Sequence, residues 1–449
     1  VTAASSALDG GRYQAYSYAY PHKTSYRRLE PPVALDQLWA GERRDALSLY
    51  IHVPFCEYRC GFCNLFTRPT PDDDDVAAYL GTLARQVAVV RRALDAGGAF
   101  AFARAAIGGG TPTYLDPHQL ERVVGLLRAM GAPASLPMSV ETSPETAVPD
   151  RLAVLVAGGT TRISIGVQSF DDAEARSVNR PQRAVEVHRA LAAIRDSGVP
   201  TLNIDLMYGL PDQTATSWQA TLDAALGYRP EELYLYPLYV RPLTTLGRRE
   251  AKQAGAVVAD EFDEIRAARY DQARAHLLAA GYEQVSLRMF RKVGATASPG
   301  PVYCCQDDGM IGLGCGARSY TRALHYSSEW AVGARGVRDI IARWIARSDA
   351  ELAVADYGVW LDADEQRRRW LILSLLSDAG VDRAGFRARF GVDAVAAFPQ
   401  LGELAARGLA TLDDATLALT EDGHARADAI GPWLYSPAMR QRMDGFELA

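Results

Sequence analysis

Three cysteines constrain this chain more than any other feature. They lie in Leu49-Tyr50-Ile51-His52-Val53-Pro54-Phe55-Cys56-Glu57-Tyr58-Arg59-Cys60-Gly61-Phe62-Cys63-Asn64. The run 47–53 is short, rich in apolar, β-branched and aromatic residues, and stopped by Pro54, so it predicts a buried strand. The cysteines, spaced C-x3-C-x2-C, then fall on a loop leaving that strand's C-terminal end, where parallel α/β folds place their chemistry. Three thiolates are one fewer than the four that normally close an iron–sulfur cluster or a structural zinc site. A cluster held by three leaves one iron open to another ligand. The alternatives on the residues alone are a zinc site or three unrelated thiols.

The surrounding pattern is that of an α/β enzyme. Candidate strands at 47–53, 102–107, 138–141, 162–167, 201–206 and 233–239 alternate with helical stretches such as 75–94, 117–129 and 184–197. Six strands alternating with helices predict a parallel sheet. At 449 residues there is room for one large domain and a second. A net charge of −6 gives no bulk electrostatic case for nucleic acid or an anionic membrane. No stretch approaches a membrane span, the N-terminus lacks a signal-peptide core, and six cysteines make no disulfide framework in a chain this size, so a cytoplasmic protein is expected. Lysine occurs only at Lys23, Lys252 and Lys292 among 48 basic residues, a bias that reads as a GC-rich genome.

Most strand ends carry a motif. They are Gly108-Gly109-Gly110-Thr111-Pro112-Thr113, Glu141-Thr142-Ser143-Pro144, Arg162-Ile163-Ser164-Ile165-Gly166-Val167-Gln168-Ser169-Phe170, Asn179-Arg180-Pro181-Gln182 and Asn203-Ile204-Asp205-Leu206-Met207-Tyr208-Gly209-Leu210-Pro211. Taken singly, each reads as a turn, a cap or a surface ion pair. Taken in order behind the cysteine loop, they resemble the radical S-adenosylmethionine (SAM) superfamily over roughly residues 48–320. The string from Tyr50 to Cys63 is similar, more narrowly, to the branch containing oxygen-independent coproporphyrinogen oxidase.

That resemblance implies an open (β/α)6 barrel with a [4Fe–4S] cluster on Cys56, Cys60 and Cys63. SAM would bind the open iron and be cleaved reductively to a 5′-deoxyadenosyl radical, with an electron donor such as flavodoxin or ferredoxin. It places Gly109, Gly110 and Thr111 at the SAM amino group, Glu141 and Gln168 beside SAM, Arg180 on its carboxylate and Asp205 on a hydroxyl. A second stretch, Tyr303-Cys304-Cys305-Gln306 followed by Met310-Ile311-Gly312-Leu313-Gly314-Cys315-Gly316-Ala317-Arg318-Ser319-Tyr320, reads by itself as a tightly packed glycine turn. In the branch this region lines a second SAM site, which would use Gln306, Gly312, Gly314 and Ala317. Cys315 is expected to be buried, and Cys304 and Cys305 are candidate active-site thiols.

Three domains are expected: an arm over 1–45, the barrel and its extension over 46–330, and a C-terminal unit over 331–449. The arm is too polar for a core element and reads as packed over the barrel. Similar arms in the family border the active site, which would bring Tyr20 to Tyr26 to the substrate opening. In the C-terminal unit, helices at 364–376, 382–390 and 399–407 and a hairpin at 409–412 and 417–420 resemble a winged helix. Its interspersed acidic residues argue against DNA binding.

Three functions follow from the resemblance. A porphyrinogen propionate oxidase is one, but such enzymes carry a further cysteine two residues after the triad, where this chain has Leu65. A haem chaperone is another, but its H-N-x-x-Y-W motif is absent from the Tyr303 to Asp308 region. The third, preferred on the Cys56–Thr67 string, the Tyr20-Pro21-His22-Lys23-Thr24 arm and the 303–320 signature, is a class C radical SAM methyltransferase. It would use two SAM molecules to methylate an sp2 carbon, such as a thiazole, of a small-molecule or modified-peptide precursor. Tyr50, Glu57 and Tyr239 are then candidate bases by location. No nucleic acid or membrane partner is expected, and the chain is expected to be a monomer.

Overall fold

Strand β2 (Leu47–Val53) is enclosed on both faces: Leu47, Leu49, Ile51 and Val53 are all within 1% of full burial, and Ser48 and His52 are buried too. Such a strand needs cover on each side, and the sequence supplies it with alternating strands and helices. The computed structural model describes residues 7–250, 259–295 and 309–447. In it β2 is followed by the short parallel pair β3 (Phe55–Cys56) and β4 (Arg68–Pro69), then by β5 (Phe102–Gly109), β6 (Met138–Thr142), β7 (Thr160–Gln168), β8 (Thr201–Tyr208) and β9 (Glu232–Pro237). Strands β2, β5, β6, β7, β8 and β9 lie side by side in that order, all parallel. This is the expected partial (β/α)6 barrel. Helices Asp73–Ala96 and Pro117–Ala129 lie within two residues of their expected bounds, the first N-capped by the Asp72 side chain.

The sheet does not close. Strands β10 (Tyr282–Gln284) and β11 (Met289–Lys292) form a hairpin that extends the β9 edge antiparallel. On the other edge β12 (Met310–Leu313) joins β2 in parallel, followed outward by β13 (Arg318–Tyr320), β14 (Leu324–Ser327), β15 (Val354–Trp360) and β1 (Arg27–Ala34). The sequence reading did not foresee β1 or β15. Residues 27–34 expose alternate charged side chains and two prolines, which suits an edge strand and hides the pattern of a buried one. The arm is also more deeply embedded than its polarity suggests. Tyr20 and Tyr26 are fully buried, and the Tyr20 hydroxyl donates to the Glu365 carboxylate.

The C-terminal unit contains helices Ala363–Leu375, Arg383–Phe390 and Leu401–Ala406 with a three-stranded sheet of β16 (Val381–Asp382), β18 (Thr416–Leu419) and β17 (Ala410–Leu412), in that order. This is the winged-helix-like arrangement. Among the described residues no helix is long and apolar enough to cross a membrane.

One buried ion pair ties the barrel edge to the C-terminal helix Ala427–Trp433. Arg288, between β10 and β11, donates two hydrogen bonds to Asp428, one of 2.8 Å, and the residues are 3% and 1% exposed. Tyr239 donates to the same carboxylate, and the Tyr16 ring lies 3.6 Å from the guanidinium. Removing one partner strands the other charge out of water, which costs about 3–5 kcal/mol. Asp428→Ala should lose that much in urea denaturation, and Asp428→Asn less. A loss below about 1 kcal/mol for the alanine variant would show that the pair does not hold the two parts together.

Candidate active site

Alternation along the parallel strands builds the interior. In β7, Ile163, Ile165 and Val167 are fully buried against the helices, while Arg162, Ser164, Gly166 and Gln168 face the other way. Leu202, Ile204 and Leu206 of β8 and Leu233 and Leu235 of β9 repeat the outward set. Asn203 and Asp205 of β8 and Tyr234 and Tyr236 of β9 repeat the inward one. Register places Glu141, Ser164 and Asn203 in one row and Asp205 beside Tyr234 in the next. Parallel strands with one polar face line a chamber, where a packed barrel core would be apolar.

The cysteine loop stands at the C-terminal mouth of this chamber, held by two other segments. Gly110 N–H donates to Val53 O at 2.8 Å and Thr111 N–H to Phe55 O at 2.7 Å. A Cβ on Gly110 would sit 2.5 Å from Phe55 O and 2.9 Å from Cys56 Sγ, so only glycine permits this approach. Gly61 N–H donates to Val178 O at 2.7 Å, fixing the loop to the segment that carries Arg180. Arg180, 6% exposed, then reaches Cys60 Sγ at 3.1 Å with Nη1, and its Nε and Nη2 donate to Gln182 and to Gly166 O. Thr111 Oγ1 lies 3.6 Å from Cys56 Sγ.

These features fit an iron–sulfur cluster better than a single metal ion. Among the described residues no three His, Cys, Asp or Glu side chains converge closely enough to hold one ion, as tetrahedral zinc with bonds near 2.3 Å would require. The three thiols act on one another electrostatically, with Cys56 beside the glycine turn, Cys60 beside Arg180 and Cys63 4.0 Å from Thr67 Oγ1. Burial holds the Cys56 and Cys63 thiols well above their usual pKa, so as thiolates they call for a cationic partner. Gln168 adds a second sign of a ligand. It adopts φ +68°, rare for a side chain of this size, and its Oε1 is buried without a partner.

Further sequence-designated residues line the same mouth. Glu141 Oε2 accepts from Gly109 N–H at 2.8 Å, which joins the glycine turn to the third strand. Asp205 accepts from Asn203 at 2.7 Å and lies 3.5 Å from Ser164 Oγ. Burial raises its carboxyl from 3.8 to about 7, partly offset by Asn203 and Arg162.

The three base candidates are not brought together. Tyr239 is committed to Asp428 on the C-terminal helix. His52 is held neutral by burial, with a pKa of about 4, and its Nε2 lies 3.1 Å from Phe66 O. A carbonyl only accepts, so Nε2 carries the proton and Nδ1 accepts from Tyr50 at 3.0 Å. Tyr50 therefore donates its proton within the protein. Glu57, pushed up to about 7 by burial, is the one candidate with a proton that moves near neutrality.

The glycine turn after β12 is held by internal hydrogen bonds. Gly312 N–H donates to Ser319, Gly314 N–H to Gln86, Gly316 N–H to Ser328 and Ala317 N–H to Gly314 O. These N–H groups are used inside the protein, and β12 pairs with the cysteine strand, so a ligand at this turn would meet carbonyls or side chains. Cys315 is fully buried, as expected. Gln306, Cys304 and Cys305 lie outside the described residues. Sequence reading passed over Arg162 and Arg318, although the inward parity of Arg162 with Ser164 and Gln168 was a usable signal.

Asp205 yields a pH test. Between about pH 4 and pH 7 the folded chain keeps a proton that the unfolded chain releases, so stability falls as pH rises across that window and levels off above it. Asp205→Asn should remove this slope in thermal melts of SAM-free protein, melting relatively higher than the parent at pH 8 than at pH 4. Parallel profiles would place the proton elsewhere.

Comparison with known proteins matches this geometry. Residues 50–225 match the radical SAM superfamily model, and residues 361–425 match the HemN C-terminal domain. An oxygen-independent coproporphyrinogen III oxidase of Cereibacter sphaeroides is 31% identical over 82% of this chain and 84% of its own. The heme chaperone HemW of Bacillus subtilis is 27% identical over 84% of this chain and 96% of its own. The structure of coproporphyrinogen III oxidase (HemN) from Escherichia coli shares the fold, with a TM-score of 0.76, 24% identity and coverage of 93% of this chain and 96% of that one. These relatives overturn the methyltransferase expectation, and the heteroaromatic or modified-peptide substrate goes with it. The short motifs that suggested it occur within a chain whose similarity over most of its length is to such oxidases and to a heme chaperone. The chain belongs to the radical SAM superfamily and, within it, to the family of the oxygen-independent coproporphyrinogen III oxidases.

Proposed function

We propose that this protein is a coproporphyrinogen oxidase-like radical SAM enzyme that removes carboxylate from propionate side chains of a porphyrinogen-type substrate. The observation that carries this reading is the polar chamber of β6–β9 opening onto three enclosed thiols, in a chain 31% identical to such an oxidase over most of its length. Leu65 stands where those enzymes have a further cysteine. It is 48% exposed and lies outside the enclosed thiol set, so its identity does not alter the three ligands.

In this reading Cys56, Cys60 and Cys63 would hold a [4Fe–4S] cluster, and SAM would bind beside it. Together, when bound and reduced by an electron donor, they supply a carbon radical able to abstract hydrogen. The residues do the positioning. The N–H groups of Gly109, Gly110 and Thr111 are used inside the protein, so the turn offers carbonyls to the SAM ammonium. Arg180 faces the SAM carboxylate, Gln168 Oε1 accepts a hydrogen bond, and Asp205, oriented by Asn203, binds a hydroxyl. Each propionate loses one hydrogen atom, one CO2 and one electron, leaving a vinyl group. Holding substrate and cofactor in one orientation is the main protein contribution.

The test is anaerobic turnover of the reconstituted protein with reductant, SAM, an electron acceptor and coproporphyrinogen III. Deoxyadenosine and CO2 should form in equal amounts, with a mass loss to match. Cys60→Ala should lose the cluster and both products. Tight haem binding with no CO2 would replace the oxidase by the chaperone activity of the HemW relative.

A further inference from the structure

Two cations stand near the cysteine strand and loop with no carboxylate paired to them among the described residues. Lys23, in the turn of the N-terminal arm, holds its ammonium 4.0 Å from the centroid of the Trp330 ring. Arg318 on β13 lies 5.0 Å from the Tyr18 ring and 5.9 Å from Tyr320, and its buried Nη1 has no partner. Two strands separate Arg318 from the cysteine loop: its backbone abuts Gly312, which pairs in register with Tyr50 of β2. The two cations sense each other and the loop. Arg318 and burial hold the Lys23 ammonium well below its usual pKa while Cys63 draws it up, and both cations help keep His52 neutral. The groups acting most on Arg318 are the tyrosines 18, 320 and 26, and among the described residues no ion pair holds either cation. Without an anion, burial and the neighbouring Arg318 favour the neutral amine of Lys23, and a bound anion would hold both groups charged.

We propose that Lys23 and Arg318 form a carboxylate-binding pair at the chamber mouth, which clamps an anionic group of the ligand against the cluster face. This rests on the function proposed above and assigns residues to the acidic side chain of its substrate. Arg318 supplies a planar fork and Lys23 a point charge, so a carboxylate bridged between them would be held in one orientation. The same chemistry fits the carboxylate of a SAM molecule, and the test separates the two sources.

Lys23→Met and Lys23→Arg proteins, reconstituted and matched for iron content, are titrated with coproporphyrin III, its neutral tetramethyl ester and SAM. Loss of at least tenfold in coproporphyrin III affinity for Lys23→Met, with Lys23→Arg near the parent and the ester weak for all, assigns the pair to the substrate. The same loss for SAM alone assigns it to the cofactor carboxylate. Arg318→Lys, which keeps charge but loses the fork, should show a smaller loss for the same ligand. Affinities for both ligands within twofold of the parent in Lys23→Met would overturn the pair. Failure of the oxidase reading appears separately, as a parent protein that releases no CO2.

Discussion

Everything at this site depends on how a single loop is pinned. Strand β2 ends at Pro54 and delivers the three cysteines, but a loop of this length has no fixed shape by itself. Its form comes from backbone hydrogen bonds to two other segments: Gly110 to Val53 and Thr111 to Phe55 from the turn after β5, and Gly61 to Val178 at the end of the helix Asp172–Ser177. The glycine turn, the Arg180 segment and the cysteine strand therefore form one rigid mouth, the preorganisation that radical chemistry requires.

Much of this was legible in sequence because it rests on local patterns. The six parallel strands and the helices between them appear as short apolar runs and amphipathic stretches, and only their ends moved. The triad and Glu141 sit at or just after strand ends, Asp205 on the inward face of β8 and Arg180 in the turn between two helices, all within motifs whose spacing and residue types point to chemistry. Less legible were features set by distant pairing. Strand β1 looks like polar coil until β15, more than 300 residues away, pairs with it. The hydrogen bonds that hold the glycine turn at 312–317 to Gln86, Ser319 and Ser328 were likewise not legible. Tyr239 looked like a base by position, yet Asp428, far off in sequence, takes its hydrogen bond.

The functional reading moved for a similar reason. Short strings near the cysteines and in the arm favoured a methyltransferase, whereas similarity over most of the chain lies with the oxidases and a heme chaperone. A local string reports the cofactor site, which many radical SAM activities share. The acceptor is chosen by the chamber walls and by what stands at the mouth. Here the walls carry tyrosines, Arg162 and acids.

The central claim is that three thiols from this loop hold a cluster with one iron open to SAM. Electron paramagnetic resonance of the reduced, reconstituted protein with and without SAM tests it most directly. The account predicts a [4Fe–4S]⁺ signal whose g values shift when SAM is added, because the added ligand binds the iron that no cysteine holds. A signal that SAM leaves unchanged, or a protein that takes up zinc and gives no cluster signal, would contradict it.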